Sequence, residues 1–296
     1  MKNYSDLICE LNTEFGVFKG AETGKIKEGE FGFSIDKYAV KTAKQVSILG
    51  KDYGEYAILN FPLFLDDNNL AYNCYYKHFK VVLSGFLGKI RDKDVVMIVG
   101  LGNRHISADS FGVQVVRRVV VTRGLNSKLP SVCAFSPSVL GLTGIETADT
   151  VDAIIGKVKP TIVVYIDSLC ASHSARLGRS FQISSTTITP GAGVKNIRPK
   201  PQKNGFKTIS IGVPFVVYSG TFIKSELEDA GVSVKEIENN KIRKAVEQCC
   251  ELKENQLVTL KDIEEVVGKA GKFVAEAINE LIFGVKHLWN KIWFCD

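Results

Sequence analysis

The sequence predicts an α/β fold in which a mostly parallel central sheet is flanked by helices. Two wholly apolar runs, VVMIV at residues 95–99 and TIVVYI at 161–166, have the length and β-branched content of strands covered on both faces. A further short run at 132–135 lies between them, separated from each by stretches with helical features. Strands that alternate with helices form right-handed crossovers and hence a parallel sheet.

The remaining elements follow in order. Phe31, Phe33 and Ile35 alternate with polar neighbours, and Tyr56, Ile58 and Pro62 mark a second extended run, so residues 31–61 read as strands. Over 67–90 the apolar residues Leu70, Cys74, Val82 and Phe86 lie near helical spacing, behind an Asp-Asp-Asn-Asn start able to cap a helix. After 95–99 come the loop GLGNRHISAD and a helix over 110–123, although Val119-Val120-Val121 would suit a strand equally well. The strand at 132–135 is followed by the turn SPSVLGLTG and a helix over 146–158 that Pro160 ends, and strand 161–166 comes next. Residues 181–189 look extended, TPGAG is a turn, and 208–218 is a further strand. The part from 239 to 296 reads as helical, with Lys261, Glu264 and Glu265 on a polar side and Val266, Phe273 and Ile278 on an apolar one. Its last turns, LIFGVKHLWNKIWF, carry aromatics that either bury against the body or meet another copy. A single domain over 1–296 accommodates all of this.

With 45% hydrophobic and 24% charged residues, the composition is that of a globular domain with a sizeable core. The net charge of +6 is modest, and Lys and Arg are scattered apart from a basic stretch at 195–207. No nucleic-acid reader motif accompanies it, so direct nucleic-acid binding is not expected. The seven cysteines are odd in number and form no CxxC pair, which argues for reduced thiols in the cytoplasm rather than a disulfide framework or a zinc site. No signal-peptide h-region is visible, and no stretch approaches the ~20 apolar residues a membrane span needs, so no membrane partner is expected.

In a parallel α/β sheet, the loops at the carboxyl ends of the strands make the ligand crevice. Two of those loops carry an aspartate: Asp109, ten residues after Val99, and Asp167, directly after TIVVYI and so placed at a strand end. Neighbouring strands lie ~5 Å apart, close enough for the two carboxyls to face each other. Amide hydrolysis needs a base to activate water and an acid to protonate the leaving amine. Two close carboxyls divide these roles, because they cannot both ionise comfortably. A helix cap at Asp109 and a solvated charge at Asp167 are the plainer alternatives.

Other motifs add less. Gly100-Leu101-Gly102-Asn103 follows a strand, but His105 stands where the dinucleotide fingerprint needs its third glycine, and no GKS or GKT is present, so no nucleotide cofactor is expected. Gly141-Leu142-Thr143-Gly144 and Pro190-Gly191-Ala192-Gly193 either let backbone approach a substrate or are plain turns. His78, His105, His173 and His287 form no HExxH motif, and no metal site is expected, though His105 and His173 share the loops of the two aspartates. Ser136, Ser138, Ser168 and Cys170 could be nucleophiles, but no GxSxG elbow surrounds a serine.

The blocks GLGNRHISADSFG, AFSPSVLGLTGIETAD, KPTIVVYIDSLCA, QISSTTITPGAGVKN and ISIGVPFVV, in that order, resemble the germination protease family of spore-forming bacteria over roughly residues 30–220. The resemblance implies a sandwich related to the hydrogenase-maturation proteases. It also implies a tetrameric, atypical aspartic endopeptidase that degrades small acid-soluble spore proteins in the spore core at germination. The family's two essential aspartates fall at Asp109 and Asp167. Asn103, His105, Thr143, Gly144, Glu146 and His173, inside or beside the same blocks, are the candidate substrate contacts. The family is made as a zymogen; Ser5-Asp6-Leu7 resembles the start of its mature enzyme, and residues 1–15 are propeptide-like. Thr13-Glu14-Phe15 resembles the Glu-Phe site cut in the spore proteins, which implies self-processing after Glu14. Two departures stand out: Ser172 replaces a usual arginine, and SADSFGV (107–113) replaces TPDALGP. They leave two rivals. One is a maturation-type protease with a divalent ion held by the carboxylates and His105 or His173, and the other is a silent relative that only binds spore proteins.

Overall fold

The computed structural model describes residues 5–18, 22–26, 31–65, 68–125, 129–188, 201, 205–232, 239–252 and 256–284. The TPGAG turn, most of the basic stretch and the aromatic end at 285–296, including His287, lie outside them.

Helix α1 (Ile8–Phe15) ends on Gly16 in the left-handed conformation. Strands β1 (Glu22–Ile26), β2 (Phe33–Val40) and β3 (Gly54–Asn60) pair antiparallel. Between β2 and β3 the sequence reading missed helix α2 (Ala43–Leu49). Its signal is the capping box in which Thr42 and Gln45 satisfy each other's backbone N–H groups. Helix α3 (Asn69–Leu87) starts where Asn68 Oδ1 accepts from the N–H groups of Leu70 and Ala71.

The parallel block then begins. It contains β4 (Val95–Gly100), α4 (Phe111–Val116), β5 (Ser131–Phe135), α5 (Leu140–Thr143), α6 (Thr147–Val158), β6 (Ile162–Ala171) and, after the antiparallel β7 (Ser180–Ser184), β8 (Lys207–Tyr218). Helices α7 (Ser219–Asp229), α8 (Asn240–Leu252) and α9 (Ile263–Phe283) follow, with the short strand β9 (Leu257–Thr259) between the last two. The C-terminal part is therefore not helical throughout, because β9 pairs with the end of β8.

Among the described residues the sheet runs β1-β2-β3-β7-β8-β6-β4-β5, with β9 beside β8. The expected parallel block, β8, β6, β4 and β5, forms one half of it with β5 at the edge, and the wing from β7 to β1 is antiparallel. Strands β4 and β6 are apolar on both faces because both are covered. On one face α3, α4 and α9 enclose Ile98, Ile166, Phe181, Ile211 and Phe273. On the other, Met97, Val99, Val163 and Tyr165 meet Val151 of α6, and Leu7, Ile8 and Leu11 of the N-terminal segment cover Leu169, Ala171 and Val217.

Two further differences from the sequence reading bear on function. The helix expected over 110–123 stops at Val116. Arg117 and Arg118 turn, and the valines beyond follow without regular structure, held by Asn279 of α9: its Oδ1 accepts from Val120 N–H and its Nδ2 donates to the Arg118 carbonyl. The strand expected to end at Ile166 runs on to Ala171, so Asp167 sits inside β6 rather than at its end. It is β4 that ends there, with Gly100 opposite Ile166.

Candidate active site

Asp109 closes a single 3-10 turn, Ser107–Asp109, just before α4. The loop is tied by Asn103, whose backbone N–H donates to Asp109 Oδ2 (2.9 Å) and to its carbonyl (3.1 Å). Three glycines permit this closeness. A Cβ on Gly100 would lie 2.2 Å from the Gly112 carbonyl oxygen, and one on Gly112 would lie 2.6 Å from that of Ile166. Gly102, at φ +109°, would place a Cβ 1.9 Å from the Asp109 carbonyl oxygen. The glycines after β4 thus serve to press the Asp109 loop onto the sheet end. Gly102→Ala should displace Asp109, cutting activity and destabilising the chain by about 1–3 kcal/mol. Gly124, at φ +90°, has no atom near a built Cβ. Gly124→Ala is the control: it should lower the melting temperature and leave kcat/KM alone.

Asp167 is 7% exposed, and its Oδ1 accepts from the N–H of Ser168 (2.9 Å). Its carboxyl lies well above the usual carboxylate range, chiefly through burial, then through repulsion from Asp109 and Asp6. Asp109 is pushed up to about 6 by burial, against the pull of the Asn103 N–H. The two carboxyls therefore feel each other, and their environments hold protons with different strength. Asp167, the more deeply buried and the one that the Asp109 charge repels, is the carboxyl pushed further toward its protonated form. That arrangement offers a proton donor and a proton acceptor at one pH.

Asp167 lines a cavity of about 290 Å³ together with Asp6, Lys51, Asp52, Tyr56, Gln182 and Ser210, among others. The N-terminal segment reaches into it. Asp6 N–H donates to the Cys170 carbonyl, and Asp6 Oδ2 accepts from Cys170 N–H (both 2.9 Å). Asp6 is raised by burial, with Lys51 and the Cys170 N–H opposing. Sequence reasoning missed Lys51 and Gln182; no motif marks either, and only the pairing of β3, β7 and β8 brings them to Asp167.

The other candidate residues are spread more widely. Asn103 braces Asp109 through its backbone, and its Oδ1 accepts from His105 N–H, leaving the His105 side chain exposed. Thr143, the last residue of α5, and Gly144, its C-cap, are exposed, and Glu146 precedes α6; none of the three lines the Asp167 cavity. His173 pairs with Asp229 (3.6 Å) and lines a separate cavity with Asn60 and Arg176. Glu14 and Phe15 belong to α1, whose start is packed in the core. Cys9, Cys74, Cys133, Cys170, Cys249 and Cys250 are free thiols. Among the described residues, no group of three or more His, Cys, Asp and Glu side chains is placed to hold a metal ion, and no helix is long and apolar enough to cross a membrane.

Comparison with known proteins places the chain. A family model described as germination protease matches residues 19–230. The germination protease of Clostridium tetani is 30% identical over 292 residues, covering 89% of this chain and 88% of its own. That of Caldanaerobacter subterraneus subsp. tengcongensis is 35% identical over 212 residues, covering 68% of this chain and 65% of its own. Among solved structures, a [NiFe] hydrogenase maturation protease, HycI from Thermococcus kodakarensis, aligns with a TM-score of 0.31 and 20% identity, covering 63% of this chain and 98% of that one. The molecule is thus a hydrolase of peptide bonds. The chain belongs to the germination protease family.

Proposed function

We propose that this endopeptidase cuts small acid-soluble spore proteins in the spore core, using Asp109 and Asp167 to activate water. One observation carries the reading: a loop carboxyl and a strand carboxyl lie close enough to repel each other, both hold protons more tightly than usual, and Asp167, though not Asp109, lines a cavity. Asp109, ionised, takes a proton from water as it attacks the scissile carbonyl. Asp167 gives its proton to the leaving amine. The pair titrates as a unit, so cleavage rises as Asp109 ionises and falls as Asp167 loses its proton. The N–H groups of Leu101 and Asn103 are already engaged, by Ile166 and Asp109, so these two amides of the first glycine loop are not free to steady the tetrahedral intermediate.

The family resemblance also makes a homotetramer the expected assembly. Incubating the purified chain with a small acid-soluble spore protein, at several pH values and with and without a chelator, should give discrete fragments on a bell-shaped profile. Fragments that vanish with chelator and return with added divalent ion would replace the aspartate pair by a metal mechanism. No fragments at any pH would leave a spore-protein binder.

A further inference from the structure

Gln182 on β7 is 8% exposed, lines the Asp167 cavity, and spends both ends of its amide on a piece of backbone that crosses the site. Its Nε2 donates to the Asp6 carbonyl (3.3 Å), and its Oε1 accepts from Ile8 N–H (2.9 Å). A primary amide donates from its nitrogen and accepts at its oxygen, side by side, which matches the carbonyl and N–H of a passing chain. From β6, the Cys170 carbonyl accepts from the Asp6 main-chain N–H, while the Cys170 N–H donates to the Asp6 carboxylate rather than to backbone. In register, Asp167 and Gln182 both face Gly212 of β8, one from each side, so the held peptide lies near the carboxyl proposed to do the chemistry.

We infer that Gln182 is the substrate-backbone clamp of this active site: an extended peptide binds between Gln182 and the Cys170 backbone, along the path that Ser5–Ile8 occupies here. This deepens, and rests on, the proposed cleavage by Asp109 and Asp167. The ligand is a peptide in extended form, recognised through its main chain. The carbonyl that the Gln182 amide holds is the one whose oxygen gains charge when water adds. The side chain thereby supplies the donor that Leu101 and Asn103 do not.

Gln182→Met keeps length and apolar bulk and removes both hydrogen-bonding atoms. It should lower kcat/KM for spore-protein cleavage by about 100-fold, the usual cost of one such donor. An unchanged rate overturns the inference, and so does a faster one, which would mean that Gln182 serves only to hold the chain's own segment. If melting curves show Gln182→Met unfolded at the assay temperature, Gln182→Glu, which keeps the acceptor for Ile8, is judged by the same criterion. A second arm separates the clamp from the chemistry. In chains carrying Asp167→Asn, binding of a purified small acid-soluble spore protein is compared with and without Gln182→Met. At least tenfold weaker binding supports the clamp even if the wild-type chain cleaves nothing; equal binding, or none to either chain, overturns it.

Discussion

Asp167→Asn is expected to lower kcat/KM for peptide cleavage by roughly 10²–10⁴-fold, the range for removal of a positioned general acid. Asp109→Asn should do the same by removing the base. Both amides copy the shape of the carboxyl, so the loss would reflect proton transfer rather than packing. The same substitutions should raise the melting temperature at neutral pH. Both carboxyls bind protons more tightly folded than unfolded, because burial penalises their charged forms. Such a group stabilises the fold most at acid pH and ceases to do so as pH climbs through its folded value. For Asp109 that decline runs from about 4, the unfolded value, to about 6. Melting curves from pH 4 to 8 should therefore show wild type losing ground to each amide variant. A variant with full activity, or one whose melting temperature falls below wild type across this range, would contradict the assigned roles.

Phe273→Ala should destabilise the chain by about 3–5 kcal/mol, measured by denaturant unfolding. The ring is fully buried on α9 and lies against Phe61, Tyr72, Tyr76, Phe79 and Phe181, with centroids 5.1–6.2 Å away. Truncation leaves a cavity lined by rings that cannot collapse into it. The activity of whatever fraction remains folded should be near normal, because Phe273 belongs to the core on the face away from the Asp167 cavity.

The parallel half of this sheet could be read directly, because strands covered on both faces become apolar runs such as VVMIV and IVVYI. The antiparallel wing was harder. Strand β7 is buried throughout yet carries Ser180, Gln182 and Ser184, so its sequence is no apolar run, and α2 announces itself only through Thr42 and Gln45. The end of β6 was misjudged because Asp167 and Ser168 look like the polar residues of a loop. The strand continues through them because β8 supplies partners as far as Val217. The extent of α4 escaped for a tertiary reason: Asn279, about 160 residues away, supplies the hydrogen bonds that let the chain leave helix at Val116. Asp109 and Asp167 could be picked out by their place after apolar strands. Gln182 could not, since a buried amide on a strand carries no local signature.

Strand β6 outlasts β4 by five residues, from Asp167 to Ala171. The proposed proton donor is thereby bolted into regular sheet, while its partner rides on one turn of a loop latched by Asn103. Variation at Ser107, Ala108 and Ser110 is thus expected to shift the proposed base against a fixed acid, whereas Gly112, pressed on the Ile166 carbonyl, ties the loop to the strand that holds that acid.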